Sequence, residues 1–197
     1  MPRKKEERFP FSKYEKMKTV CVYCASSPLI REEFFEATRK LAAYLVEENL
    51  DVVFGGGSQG LMGQLADTVL EKGGHITGVM PNFMKEVEWD HKGVKHFHFT
   101  ETMHQRKQTF LDKSDGLITL AGGCGTFEEL LEAITLKRLG IFNKPIVILN
   151  TDGYYDPMKE MLERSIAEKF MTEAHGKMWT FVNEPEEVIP ALKAGLI

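Results

Sequence analysis

Gly116-Leu-Ile-Thr-Leu120 runs directly into Ala121-Gly-Gly-Cys-Gly-Thr-Phe-Glu-Glu129, a short apolar run that ends in a glycine-rich turn and opens a helical pattern. An earlier stretch has the same form. Asp51 to Phe54 (DVVF) enters Gly55 to Gly63 (GGGSQGLMG), and a helix over Leu61 to Glu71 is stopped by Gly73-Gly74. Strand, glycine turn and helix in that order, twice in one chain, predict parallel strands joined by helical crossovers.

The rest of the chain extends the pattern in both directions. Thr19 to Tyr23 (TVCVY) is a β-branched and apolar strand ending at Cys24-Ala25-Ser26-Ser27-Pro28, and Glu32 to Glu48 carries apolar residues at helical spacing. His75 to Met80 predicts a third strand. In Val94 to Thr100, Val94, His96, His98 and Thr100 alternate with Lys95, Phe97 and Phe99, the mark of a half-exposed strand. A helix over Thr102 to Lys113 opens with Thr102 and Gln105 placed for a capping box, and a helix over Thr126 to Leu139 follows the second glycine turn. Pro145 to Leu149, a helix over Asp156 to Lys169, a strand over Trp179 to Val182 and a helix over Pro185 to Ala194 complete the chain. Short apolar strands need cover on both faces, so the expected class is α/β: a doubly wound parallel sheet in a Rossmann-like three-layer sandwich. Residues 18–197 are expected to form one nucleotide-binding catalytic domain, behind a flexible arm over residues 1–17.

Composition bounds the partners. At 197 residues, with 43% hydrophobic and 27% charged residues, the chain has the makeup of a folded globular protein. A net charge of −4 supplies no broad positive field for nucleic acid or an anionic membrane, so any phosphate site is local. No run approaches the roughly 18 to 20 apolar residues of a membrane span, and the N-terminus lacks the apolar core of a signal peptide. A cytoplasmic location is expected, and three cysteines fit a reducing compartment. Cys21 and Cys24 form a C-x-x-C, but their odd separation along a strand sends them to opposite faces. His96 and His98 share a face without a third ligand. No metal and no cofactor are expected.

The chemistry centres on the two turns. Ligands of such sheets bind at the carboxyl ends of the strands, where amides at helix N-termini converge on an anion. Gly56, Gly57 and Ser58 in the first turn, and Gly122, Gly123, Cys124, Gly125, Thr126 and Phe127 in the second, are the expected phosphate contacts. Glu128 and Glu129 fall in what reads as the first helical turn. Thr126-x-x-Glu129 also fits a capping box, and a carboxylate beside a phosphate is repelled, which argues that at least one of the two points toward the sugar; spacing alone leaves both roles open. Cys124, at a helix start, is expected to be buried and inert rather than activated. Ser26 and Ser27 edge the same cleft, in positions where serines also serve as turn formers.

GGGSQGLMG, Met103 to Lys107 (MHQRK) and AGGCGTFEE together resemble the motif set of the LOG ("lonely guy") family, whose signature is PGG-x-GT-x-x-E. The match runs from about Val20 to Leu149. Ala121 departs from the signature's proline, which loosens the turn without removing a donor. The resemblance implies hydrolysis of the N-glycosidic bond of AMP or N6-modified cytokinin nucleoside 5′-monophosphates, releasing free base and ribose 5-phosphate. It implies Glu129 and Arg106 as catalytic residues, with Glu88, Lys107, Glu128 and Thr135 at substrate positions, and a homodimer as the minimum assembly. An older family label, lysine decarboxylase, would call for a pyridoxal phosphate lysine, and no lysine stands out for that role. Two other readings stand beside it: a non-catalytic nucleotide-binding or sensing module, which needs the glycine turns but no carboxylate at C1′, and a nucleosidase for other monophosphates.

Overall fold

The computed structural model describes residues 17–86 and 90–196. The expected N-terminal arm lies outside the described residues except for Met17, which packs partly buried against the core.

Strands β1 (Thr19–Tyr23), β2 (Asp51–Phe54), β3 (Ile76–Pro81), β4 (His96–Thr100), β5 (Gly116–Thr119), β6 (Ile146–Leu149) and β7 (Thr180–Val182) form one sheet in the order β4-β3-β2-β1-β5-β6-β7. Every pairing in it is parallel. Helices α1 (Glu32–Glu47), α2 (Gly60–Glu71), α3 (Met103–Asp112), α4 (Cys124–Arg138), α5 (Asp156–Ala167) and α6 (Val188–Ala194) connect and cover it. The doubly wound α/β class expected from the sequence is the class observed.

The core follows from the two-residue period of the strands. Val20 and Val22 of β1 face one layer with Leu41, Leu65 and Leu192, while Cys21 and Tyr23 face the other with Phe110, Leu130 and Ile134. Burying a leucine such as Leu41 or Leu130 completely contributes about 2 to 3 kcal/mol each. Cys21 and Cys24 fall in different layers, and burial pushes both thiols well above their ordinary pKa. They are packing residues.

Three local expectations are corrected. Helix α4 begins at Cys124, two residues before the expected start, because Gly123 takes the extended N-cap conformation (φ −94, ψ −157). Thr126 is therefore inside the helix and cannot cap it, and neither Glu128 nor Glu129 lies in the first turn. The expected box at α3 is displaced: Thr102 Oγ1 accepts from the Gln105 amide at 3.1 Å, but Gln105 Oε1 accepts from Glu101 N at 2.9 Å, one residue before the cap. Short 3-10 turns at 82–86, 151–153, 173–177 and 185–187 occupy stretches that read as irregular or, at the C-terminus, as the start of the last helix.

The chain leaves β1 toward β2 on one side, whereas β5 adds on the other. Tyr23 of β1 and Thr119 of β5 are register partners at the carboxyl edge. That edge is the point where connections diverge, and it opens the natural crevice of such a sheet.

Candidate active site

A cleft of about 290 Å³ occupies this crevice, lined by Tyr23 to Ser27 after β1, by Gly55 and Met62, by Arg106 and Phe110 of α3, and by Gly123, Gly125, Thr126 and Glu129. The two glycine turns flank it, and they are used differently.

In the first turn, helix α2 starts at Gly60, whose φ of +61 is in the left-handed region, and a Cβ there would lie 2.6 Å from the backbone of Ser26. Glycine permits both the conformation and the approach. The approach lets the Leu61 and Met62 amides donate to the Ala25 carbonyl, at 2.9 and 3.2 Å. Two amides at the start of this helix therefore have a backbone partner. Gly56 packs beneath Phe97, its carbonyl accepts from His91 N at 3.0 Å, and Gly57 bridges to Asp90. Gly56, Gly57 and Ser58 do not line the cleft; Gly55 does.

In the second turn, Cys124, Gly125 and Thr126 form the first turn of α4, and their amides have no partner among the described residues. Helix geometry leaves these N–H groups free, and the dipole gives them a partial positive charge. An added Cβ at Gly123 or Gly125 would meet nothing within 4 Å, so the backbone is open to the cleft. The Thr126 hydroxyl folds back over Gly122, which it approaches too closely for any Cβ at that position. Cys124, the first residue of the helix, is exposed, contrary to the burial expected for it, and its side chain does not line the cleft.

Arg106 and Glu129 form the polar floor. Arg106 Nη1 donates to Glu129 Oε1 at 2.8 Å, and Arg106 Nε donates to the Val79 carbonyl at 3.1 Å. The guanidinium also stacks over Phe110, 4.9 Å from the ring centre. The two residues are 7% and 9% exposed, so this is a buried, charge-assisted pair rather than a surface contact. Gly55 makes room for it: a Cβ there would sit 2.7 Å from Arg106 Nη2. Thr126 and Glu129, three residues apart, lie on one face of α4 with Gly125.

The remaining expected residues fall elsewhere. Lys107 is tied to α4 through Glu128 and, at 3.0 Å, through Glu132. Partial burial pulls the ammonium pKa down, but the hydrogen bonds and charges of those two carboxylates outweigh it and hold it above the ordinary lysine value. Glu128 is exposed and leaves the cleft to Glu129. Thr135 is exposed near the far end of α4, its hydroxyl donating to the Leu131 carbonyl at 2.8 Å. Ser26 lines the cleft. Glu88 lies outside the described residues. Tyr23, Met62 and Phe110 also line it, although sequence reading had singled out none of them. Phe110 carried a usable signal, an aromatic four residues after Arg106 on the same helical face.

A parallel sheet with an open amide turn at its switch point and an acid–arginine pair beneath defines a Rossmann-like α/β protein with its crevice at the carboxyl ends of the strands. The chain belongs to the LOG family, whose family model, described as "Possible lysine decarboxylase", matches residues 62–192. It is 40% identical to the cytokinin riboside 5′-monophosphate phosphoribohydrolase LOG2 of Arabidopsis thaliana, over 80% of this chain and 74% of that one. The relative from Oryza sativa subsp. japonica named "Probable cytokinin riboside 5′-monophosphate phosphoribohydrolase LOGL1" is 42% identical over 77% of this chain and 68% of its own. Among solved structures, the molybdenum cofactor carrier protein of Chlamydomonas reinhardtii superposes with a TM-score of 0.69 at 20% identity, covering 92% of this chain and 99% of the other. The molybdenum cofactor binding protein of Rippkaea orientalis gives 0.68 at 17%, over 93% and 99%. These two share the fold.

Proposed function

We propose that the protein hydrolyses the N-glycosidic bond of AMP or of N6-modified cytokinin nucleoside 5′-monophosphates, releasing free base and ribose 5-phosphate. The observation that carries this reading is the buried pair that Arg106 of α3 makes with Glu129, which lies on the same helix, α4, as the open amide turn. Relatives named phosphoribohydrolases support the same activity.

The 5′-phosphate is held by the Cys124, Gly125 and Thr126 amides, with Ser26 at the rim. Glu129, one turn further along the same face, then lies under the ribose. As the C1′–N9 bond breaks, its electron pair leaves with the base and positive charge develops on the ribose. The Glu129 carboxylate stabilises that charge and orients the water whose oxygen bonds to C1′; one water proton ends on the base. Arg106 holds the carboxylate in place. A guanidinium does not readily give up a proton, so orientation and charge stabilisation are its role.

A decarboxylase would need a lysine in the cleft to carry pyridoxal phosphate. The described cleft lining contains none, and Lys107, next to Arg106, is engaged by Glu128 and Glu132. The residues do not fit that cofactor.

The proposed minimum assembly is a homodimer, for which exposed Leu131, Leu139 and Ile141 offer an apolar face in and after α4. Thr135 shares that region and would meet substrate only if the assembly brought one there. A cytoplasmic location is proposed as well, on the reducing compartment that three free cysteines fit. One assay tests the activity. The protein is incubated with AMP, prenylated AMP, other monophosphates and the unphosphorylated nucleosides, and free base is followed by chromatography. Release from adenine monophosphates ahead of the nucleosides is expected; no release from any monophosphate would sink the reading.

A further inference from the structure

Three consecutive carbonyls of the second glycine turn are held from outside it. The Leu120 carbonyl accepts from the Tyr155 hydroxyl at 2.8 Å, the Ala121 carbonyl from the Ala25 amide at 3.0 Å, and the Gly122 carbonyl from the Tyr154 hydroxyl at 2.7 Å. A trans peptide unit is planar, with its N–H opposite its carbonyl. Each bond therefore sets the direction of the next amide, that of Ala121, Gly122 and Gly123 in turn.

The three links are not equally stiff. The Gly122–Gly123 unit has a glycine on either side, so its plane can rotate without a Cβ to obstruct it. A half-turn would aim the Gly122 carbonyl, a partial negative charge, toward the place where the anion sits. The Tyr154 hydroxyl is the group that holds it.

Tyr154 is placed for this by the corner after β6. Asp152 and Gly153 both take left-handed conformations (φ 52 and 69), which brings the chain round sharply. Buried Asn150 fixes the corner, its Oδ1 accepting from Tyr155 N at 2.6 Å and its Nδ2 donating to Asp156 Oδ1 at 2.8 Å. The Tyr154 ring then packs edge-on between Phe34, at 5.6 Å, and Tyr155, at 5.1 Å. The residue is 40% exposed, so these two edge contacts and the bond to the Gly122 carbonyl are what set the direction of its hydroxyl.

We propose that Tyr154 is a positioning residue of the phosphate site: its hydroxyl locks the Gly122–Gly123 peptide so that the Gly123 amide joins those of Cys124, Gly125 and Thr126 in facing the anion. The proposal rests on the phosphate-binding part of the proposed function. Tyr155 is an internal contrast, because its bond sets the Ala121 amide, upstream of the open turn.

Tyr154→Phe keeps the ring and removes only the hydroxyl. Losing one well-aligned amide at an anion should raise the ribose 5-phosphate Kd, measured by calorimetry, about tenfold, and raise KM for the monophosphate by a similar factor with kcat little changed. Tyr155→Phe should lower the melting temperature and leave the ribose 5-phosphate Kd as it was. An unchanged Kd in Tyr154→Phe overturns the proposal, and so does an equal weakening in both variants, which would mean a general loss of packing. Wild-type protein that binds ribose 5-phosphate but cleaves nothing removes the hydrolase reading while the Kd comparison still decides the role of Tyr154. Wild-type protein that binds no ribose 5-phosphate overturns both.

Discussion

The two glycine turns look alike in sequence and flank the loop after β1 at the carboxyl edge of the sheet, yet among the described residues the second leaves its first three helix amides open while the first commits two of its own. The first gives those of Leu61 and Met62 to the Ala25 carbonyl, and Ala25 in turn donates to the Ala121 carbonyl of the second. The loop after β1 is thus clamped between them. Glycine serves a different need in each place: close backbone packing in the first, an unobstructed approach for a ligand in the second. A glycine motif marks where backbone must come close to something, and the partner, chain or ligand, is decided by tertiary structure.

The comparison can be broken by adding a methyl group to each turn. Gly60→Ala should have the largest effect on stability. Its Cβ would meet the Ser26 backbone, which cannot swing aside, and its left-handed φ adds strain. A loss of about 3 kcal/mol or more is expected, a fall of roughly 10 °C in melting temperature. Melting within a degree of wild type would refute the packing role of the first turn. Gly55→Ala comes next. Its Cβ meets Arg106 Nη2 and Met62 Sδ, both ends of flexible side chains. The cost to the fold should be about 1 to 2 kcal/mol, while displacement of Arg106 lowers kcat by about tenfold or more. Unchanged kcat would detach Gly55 from the catalytic pair.

Gly125→Ala sharpens the contrast from the other side. The position is helical and open, so alanine should leave the melting temperature equal or slightly raised, by up to about 1 kcal/mol of stability. The methyl group lies at the anion approach, and ribose 5-phosphate affinity should fall by about tenfold. A variant that lost stability and kept affinity would reverse the assignment of the two turns. The smallest effect concerns the cysteines. Cys124 on the second turn is exposed and the other two are buried, so a thiol reagent should label Cys124 alone in native protein and all 3 cysteines in denaturant. Labelling of Cys24 in native protein would mean that the clamped loop opens.

Much of the architecture could be read directly. Apolar strands such as Ile146–Leu149 have no periodic alternative of that length, and β2 falls at its expected bounds. Helix ends were harder at α4, where Gly123 and Gly125 let the chain enter the helix early and nothing local marks the cap. In the site, resemblance singles out Glu129 and Arg106, but their burial and pairing arise where side chains of α3 and α4 meet on one face of the sheet. The use of the Leu61 and Met62 amides, and the hold of Tyr154 on Gly122, depend on residues tens of positions apart. No local pattern encodes such partners. Asp152 tolerates the left-handed conformation it takes, but the partners that form the corner around Asn150 are again not local in sequence.

The central claim is that Glu129, set by Arg106 on the helix that holds the phosphate, makes glycosidic cleavage possible. Glu129→Gln tests it most directly, with base release and ribose 5-phosphate binding measured on the same preparation. The account predicts that binding stays within a fewfold of wild type while kcat falls by about 10³. Base release at the wild-type rate from Glu129→Gln would contradict it.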